Sequence, residues 1–298
     1  MAMRPGLRTE SRVFVALLLL CLSTATCLAA SATAEQIDRG RYLVHAGGCI
    51  SCHTADRPDA VPLAGGRRLE TPFGIFNSPN LTPDKKTGIG GWTDGDFEAA
   101  LRHGRAPDGS PYYPVFPYPA YAGINDHDVL AISAYLRSLP PVHNPVPAHD
   151  LPWYLRSRWV MLVWNLLFLD AQPFQADHAR DAEWNRGAYL VRHLGHCGEC
   201  HTPRNLMGAR DDSRELAGNP DGPDDEKIPG IRQDRENGIG QWTIDDITLF
   251  LEMGMLPDGD FAGSSMSKVI DDNTSQLTAP DRRAIAVYLQ SLAPLHSP

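Results

Sequence analysis

The 298-residue chain has no cysteine to spare. Two of its six, Cys21 and Cys27, lie in the N-terminal segment, and the other four sit inside two pentapeptides. That leaves none for a framework of structural disulfides. Positive charge is also short, with a formal net charge of −9. Nucleic-acid binding, which needs basic patches against phosphates, is excluded as the main role. A long apolar run is missing too. The most apolar internal stretch, Trp153 to Phe168, is broken by Arg156 and Arg158 and falls short of the roughly 20 residues that cross a bilayer. Methionine is absent from Met3 until Met161.

What the chain has is Cys49-Ile50-Ser51-Cys52-His53 and Cys197-Gly198-Glu199-Cys200-His201. Each has the Cys-x-x-Cys-His spacing that attaches a c-type haem. Two thiols add to the two vinyl groups of one porphyrin, and the adjacent histidine becomes an axial ligand of the iron. Half a zinc site is the competing reading, but zinc-binding pairs sit within roughly 15–20 residues of each other. Cys52 and Cys197 are much further apart. A thioredoxin-like motif would need a βαβ setting, and no strand pattern surrounds either pentapeptide. The expectation is two covalent haem c groups, on Cys49 and Cys52 with His53, and on Cys197 and Cys200 with His201.

The pentapeptides belong to a longer repeat. Arg39-Gly40-Arg41-Tyr42-Leu43-Val44 precedes the first, and Arg186-Gly187-Ala188-Tyr189-Leu190-Val191 the second. Gly88-Ile89-Gly90-Gly91-Trp92-Thr93 answers Gly238-Ile239-Gly240-Gln241-Trp242-Thr243, and Pro107-Asp108-Gly109 answers Pro257-Asp258-Gly259. Thr93 and Thr243 open capping-box-like helix starts. Val129, Ile132, Leu136 and Leu139 share one helical side, as do Ile285, Tyr288, Leu289 and Leu292. Tyr135 and Tyr288 are expected to pack each final helix on the first helix of its repeat. Trp92 and Trp242 either cap the core at the middle helix or donate an indole N–H to a propionate.

At the N-terminus, Arg4, Arg8 and Arg12 precede the apolar run from Val13, with Ala32-Thr33-Ala34 as a small-residue cleavage site. This pattern is a secretory signal peptide. The organisation expected is therefore a leader over 1–34, haem domains over 35–142 and 183–298, and a proline- and tryptophan-rich linker over 143–182. The linker helix is expected to pack between the domains, the alternative being a docking face for a membrane-bound partner.

Gly40 to Thr54, Pro72-Phe73-Gly74 with Asn77-Ser78-Pro79-Asn80, Gly88 to Thr93, and Gly187 to Asn205 together resemble the cytochrome c subunits of bacterial periplasmic alcohol, gluconate and aldehyde dehydrogenase complexes. The resemblance implies an all-α fold of two tandem class I cytochrome c domains, with long loops each wrapping one covalent haem. It implies a periplasmic relay that takes electrons from a dehydrogenase subunit to a quinone, another cytochrome or an oxidase, with peripheral membrane association as a further expectation. Nothing in the chain resembles a pyrroloquinoline quinone, flavin or molybdenum domain, so oxidation of an organic substrate calls for another chain. Met266 resembles the family's axial methionine, with Met253 and Met255 read as core residues.

The first repeat departs from that pattern. Aligning the shared Pro-Asp-Gly puts Phe116 opposite Met266. Three arrangements remain for the first haem: an open distal side, a histidine, or a ligand borrowed from the linker or a partner. His45, His103, His127, His143 and His149 are the available imidazoles, His103 and His127 the better placed. An open first haem would also suit a dihaem enzyme, peroxidase-like or oxidising a small anion, and that is the rival to the carrier.

Overall fold

A computed structural model describes residues 32–222 and 226–295, together with Met1. The expected leader lies almost wholly outside the described residues. The first repeat runs α1 (Ala34–Ala46), α2 (Cys49–His53), a hairpin of β1 (Arg68–Thr71) and β2 (Gly74–Asn77), α3 (Asp94–His103), α4 (Tyr118–Tyr121) and α5 (Asp126–Ser138). A connecting α6 (Met161–Phe168) follows. The second repeat runs α7 (Ala182–Tyr189), α8 (Gly198–His201), α9 (Ile244–Met253), α10 (Ser264–Asp272) and α11 (Ala279–Gln290), with a π-helical turn over Leu190–Leu194 after α7. The molecule is mostly helical, as expected. The hairpin is an addition to the all-α reading. Its antiparallel strands pair Arg68 with Asn77 and Thr71 with Gly74, and are too short for their alternation to stand out in sequence.

The helix starts follow their caps. Thr93 and Thr243 each accept from the backbone N–H three residues on, while Asp96 and Asp246 accept from the two threonine N–H groups at 2.7 and 2.8 Å. In each repeat the first and last helices cross at a glycine. A Cβ placed on Gly40 would lie 1.9 Å from the Ala131 carbonyl oxygen, and one on Gly187 2.0 Å from that of Ala284. Tyr135 and Tyr288 flank these crossings, as the sequence suggested.

The described residues from Ala34 onward group as one compact unit. Buried residues of both repeats, among them Leu43, Val44, Ile132, Leu190, Leu194 and Ile285, share one core cluster. The repeats also clasp each other reciprocally. Asp128 on α5 accepts two bonds from Arg39 of its own repeat, at 2.8 and 2.5 Å, and one at 2.6 Å from the Tyr189 hydroxyl of the other. Asp281 on α11 accepts from Arg186 at 2.8 and 2.6 Å and from the Tyr42 hydroxyl at 2.5 Å.

The connector bonds to both repeats. The Tyr118 hydroxyl donates to Asn165 Oδ1 at 2.5 Å, and the Trp164 indole donates to the Met207 carbonyl at 2.9 Å. Met161 and Trp164 are buried, while Trp153, Trp159, Val163, Leu166 and Leu167 are exposed. One side of the connector thus packs and the other stays open.

Candidate functional site

Each Cys-x-x-Cys-His forms a short helical turn, which puts its two cysteines on one side. The turn into α2 bends at Gly48, φ 67, a left-handed conformation that suits a residue without Cβ. In the second repeat His196 takes the same conformation at φ 40. All four cysteines are free. Burial pushes the Cys49 and Cys197 thiols up to about 12 and Cys200 to about 11, and it raises Cys52 as well. They stand as neutral thiols, unlike the low-pKa thiolates of exchange-active dithiols.

The histidines carry the sharper geometry. Nδ1 of His53 donates to the Pro79 carbonyl at 2.8 Å, and Nδ1 of His201 donates to the Pro229 carbonyl, also at 2.8 Å. A carbonyl only accepts, so Nδ1 carries the proton and Nε2 keeps its lone pair for a metal. Burial lowers both histidines, opposed by the bond to the carbonyl. Each ring is therefore held neutral, with its orientation set by the carbonyl it bonds. Pro79 and Pro229 had no assigned role from sequence. The similar spacings after the two histidines, 26 and 28 residues, are the signal that could have marked them.

Two free thiols one turn apart, plus an imidazole with Nε2 unprotonated, are the donor set a covalent haem c requires. Both repeats hold that set. Among the described residues there is no group of three or more His, Cys, Asp and Glu able to hold a metal ion.

The two attachment segments adjoin. The α10 helix lies against α2, and α4 lies against the π turn that precedes α8. His45 donates from Nδ1 to the Asp272 carbonyl at 3.1 Å, while His193, at the equivalent place in the second repeat, donates to the Ala120 carbonyl at 3.0 Å. The stretch that follows Phe116 and the one that follows Met266 are thereby each tied to the other repeat's attachment segment.

Met266 sits in the first turn of α10, which is entered through Ser264 at a positive φ of 52. Met266 is partly buried. Met253 is 51% exposed, so it is not the core residue expected. Trp92 lies edge-on to Phe97 at 5.3 Å and Trp242 to Phe250 at 5.2 Å, both capping the middle helix. Of the first-repeat histidines, His103, His127 and His143 are exposed. The Asn77 N–H donates to His149 Nδ1 at 3.2 Å.

The Cytochrome c family profile matches residues 37–140. Over 260 residues the chain is 45% identical to a dihaem c-type cytochrome of Cereibacter sphaeroides, covering 86% of this chain and 85% of that protein. The chain belongs to the cytochrome c family. It is also 38% identical to the gluconate 2-dehydrogenase cytochrome c subunit of Pantoea cypripedii, across 93% of this chain and 64% of that one. With the fructose dehydrogenase cytochrome subunit of Gluconobacter japonicus it shares 39% identity, across 88% of this chain and 54% of that longer protein.

Proposed function

We propose that this chain is a periplasmic dihaem c-type cytochrome that relays electrons from a dehydrogenase subunit to a quinone, another cytochrome or an oxidase. Cys49 and Cys52 hold the first haem with His53 as proximal ligand. Cys197 and Cys200 would hold the second, with His201 and Met266 as the residues that would ligate its iron. The leader over 1–34 directs export, and the units 35–142 and 183–298 each carry one haem, joined by 143–182.

The observation that carries this reading is the double occurrence of one donor set, each with its histidine Nδ1 tied to a proline carbonyl at 2.8 Å. The haem supplies one-electron chemistry. The protein's part is to fix the imidazole, bury the thiols and hold the two attachment segments side by side. The names of the relatives support a dehydrogenase partner, and the exposed apolar side of the connector supports a life within an assembly.

Mass spectrometry of exported protein should give the mature chain plus two haems that resist acid-acetone extraction. A dehydrogenase purified with the chain should reduce it rapidly in stopped flow, with no oxidation of an organic substrate by the cytochrome alone. Steady turnover of such a substrate by the isolated chain would refute the carrier role. The second reading, a dihaem enzyme, rests on Phe116 standing where the second repeat has Met266.

A further inference from the structure

We propose that the first haem has no side-chain ligand on its distal face, and that Phe116 with its neighbouring tyrosines roofs a pocket there that accepts a small diatomic molecule. The proposal rests on the reading that Cys49, Cys52 and His53 carry a haem.

The equivalence of Phe116 and Met266 is structural as well as sequential. Both Pro-Asp-Gly turns sit in matching loops. Arg105 bridges Pro111 as Met255 bridges Phe261. The Ala106 N–H donates to Ser110 O at 2.9 Å and the Leu256 N–H to Asp260 O at 2.7 Å. Tyr112 then donates to Gly104 O at 2.6 Å, and Ala262 to Gly254 O at 2.8 Å. Four residues beyond these last bonds come Phe116 and Met266. A phenyl ring has no lone pair to offer iron. Phe116 packs against Tyr112 at 5.6 Å and Tyr121 at 5.7 Å.

The other donors nearby, Met161 apart, are committed elsewhere or exposed. The hydroxyls of Tyr113, Tyr118 and Tyr121 donate to Leu155 O, Asn165 Oδ1 and Gly47 O. Burial raises Tyr112 to about 12, which keeps it a neutral phenol. His149 accepts an N–H at Nδ1, so its Nε2 is protonated and offers no lone pair. His45 keeps a lone pair at Nε2, but it belongs to the attachment segment just before Cys49, where it makes the same cross-repeat brace as His193. His103, His127 and His143 lie exposed. Met161, first of its kind after Met3, is buried with Tyr113, Tyr118 and Trp164 in the cluster against which Tyr112 and Phe116 also pack, so among the described residues it is the one rival donor, which Met161→Leu tests.

Carbon monoxide titration of the reduced, fully loaded protein is the test, followed by visible difference spectra. One carbon monoxide per chain is expected, and the ferric protein should show one high-spin and one low-spin haem by magnetic resonance. Phe116→Met should remove carbon monoxide binding and make both haems low-spin. Phe116→Leu should keep the stoichiometry at one and speed association, because the ring no longer roofs the iron. A wild-type protein with two low-spin haems and no carbon monoxide binding would overturn the proposal. So would a first haem that turns high-spin only in Met161→Leu, which would make Met161 the ligand. A chain lacking one haem by mass would instead count against the proposed function, so the two failures are distinguishable.

Discussion

Gly187→Ala should destabilise the protein although alanine is the better helix former. The new Cβ would stand 2.0 Å from the Ala284 carbonyl oxygen and 2.7 Å from Tyr288 Cβ. A C···O contact needs about 3.3 Å, so α7 and α11 must part by roughly 1.3 Å at their crossing, given that 3.3 Å limit. Separation of that size forfeits much of the dispersion energy along the interface, and overpacking of this kind costs about 1–3 kcal/mol or more. Against it stands the propensity gain of about 1 kcal/mol. With the clash at the severe end, the net expectation is a loss of roughly 2 kcal/mol, or about 4–8 °C in Tm for a chain of this size. Gly95→Ala is the matched control. It lies in the first turn of α3, and its Cβ would meet only Thr93 Oγ1, at 3.7 Å. Only the propensity gain remains, so that variant should gain roughly 0.5 kcal/mol. Guanidinium and thermal unfolding of the loaded proteins would measure both. A Gly187→Ala protein as stable as the parent would refute the close crossing.

Met266→Ala should abolish the weak sulfur-to-iron absorption of the ferric protein and lower the potential of one haem, since methionine ligation raises it; survival of the band would mean another ligand. Tyr189→Phe removes a hydroxyl bonded at 2.6 Å to Asp128, whose side chain is fully buried. Bonds to charged groups are worth about 1.5–3 kcal/mol, and an unfolding free energy reduced by less than about 0.5 kcal/mol would contradict that assignment. Burial pushes the Asp281 carboxyl up, but Arg186 and the Tyr42 hydroxyl outweigh it and hold the group below the usual range. Its contribution is therefore present above the unfolded value of about 3.9 and fades as pH falls through the lower folded one. Asp281→Asn should flatten the acid limb of the stability profile, and an unchanged slope below about pH 4 would argue against the clasp.

The sequence displayed what is local. Both pentapeptides, the capping threonines and the apolar sides of α5 and α11 depend on residues within a few positions of each other. What it hid has no side-chain signature or spans the chain. Pro79 and Pro229 act through their carbonyls, which any residue has. The hairpin is too short to show alternation. Met253 follows Ile247 and Leu251 closely enough to look like core, yet it ends α9 and turns outward. The Tyr42–Asp281 bond joins residues 239 positions apart, which no periodicity reports.

That bond bears on how the protein is made. If the chain leaves the cytoplasm from its N-terminus, the first attachment motif arrives outside long before Asp281 does. Until then Tyr42 lacks its acceptor, and Leu43 and Val44 lack the cover that Leu190, Val191 and Leu194 provide in the shared core. The first attachment motif thus emerges on a scaffold whose last helix has yet to arrive. Cutting the gene between the repeats would not give two small cytochromes. It would give two pieces, each with an uncovered apolar side and a carboxylate short of one donor.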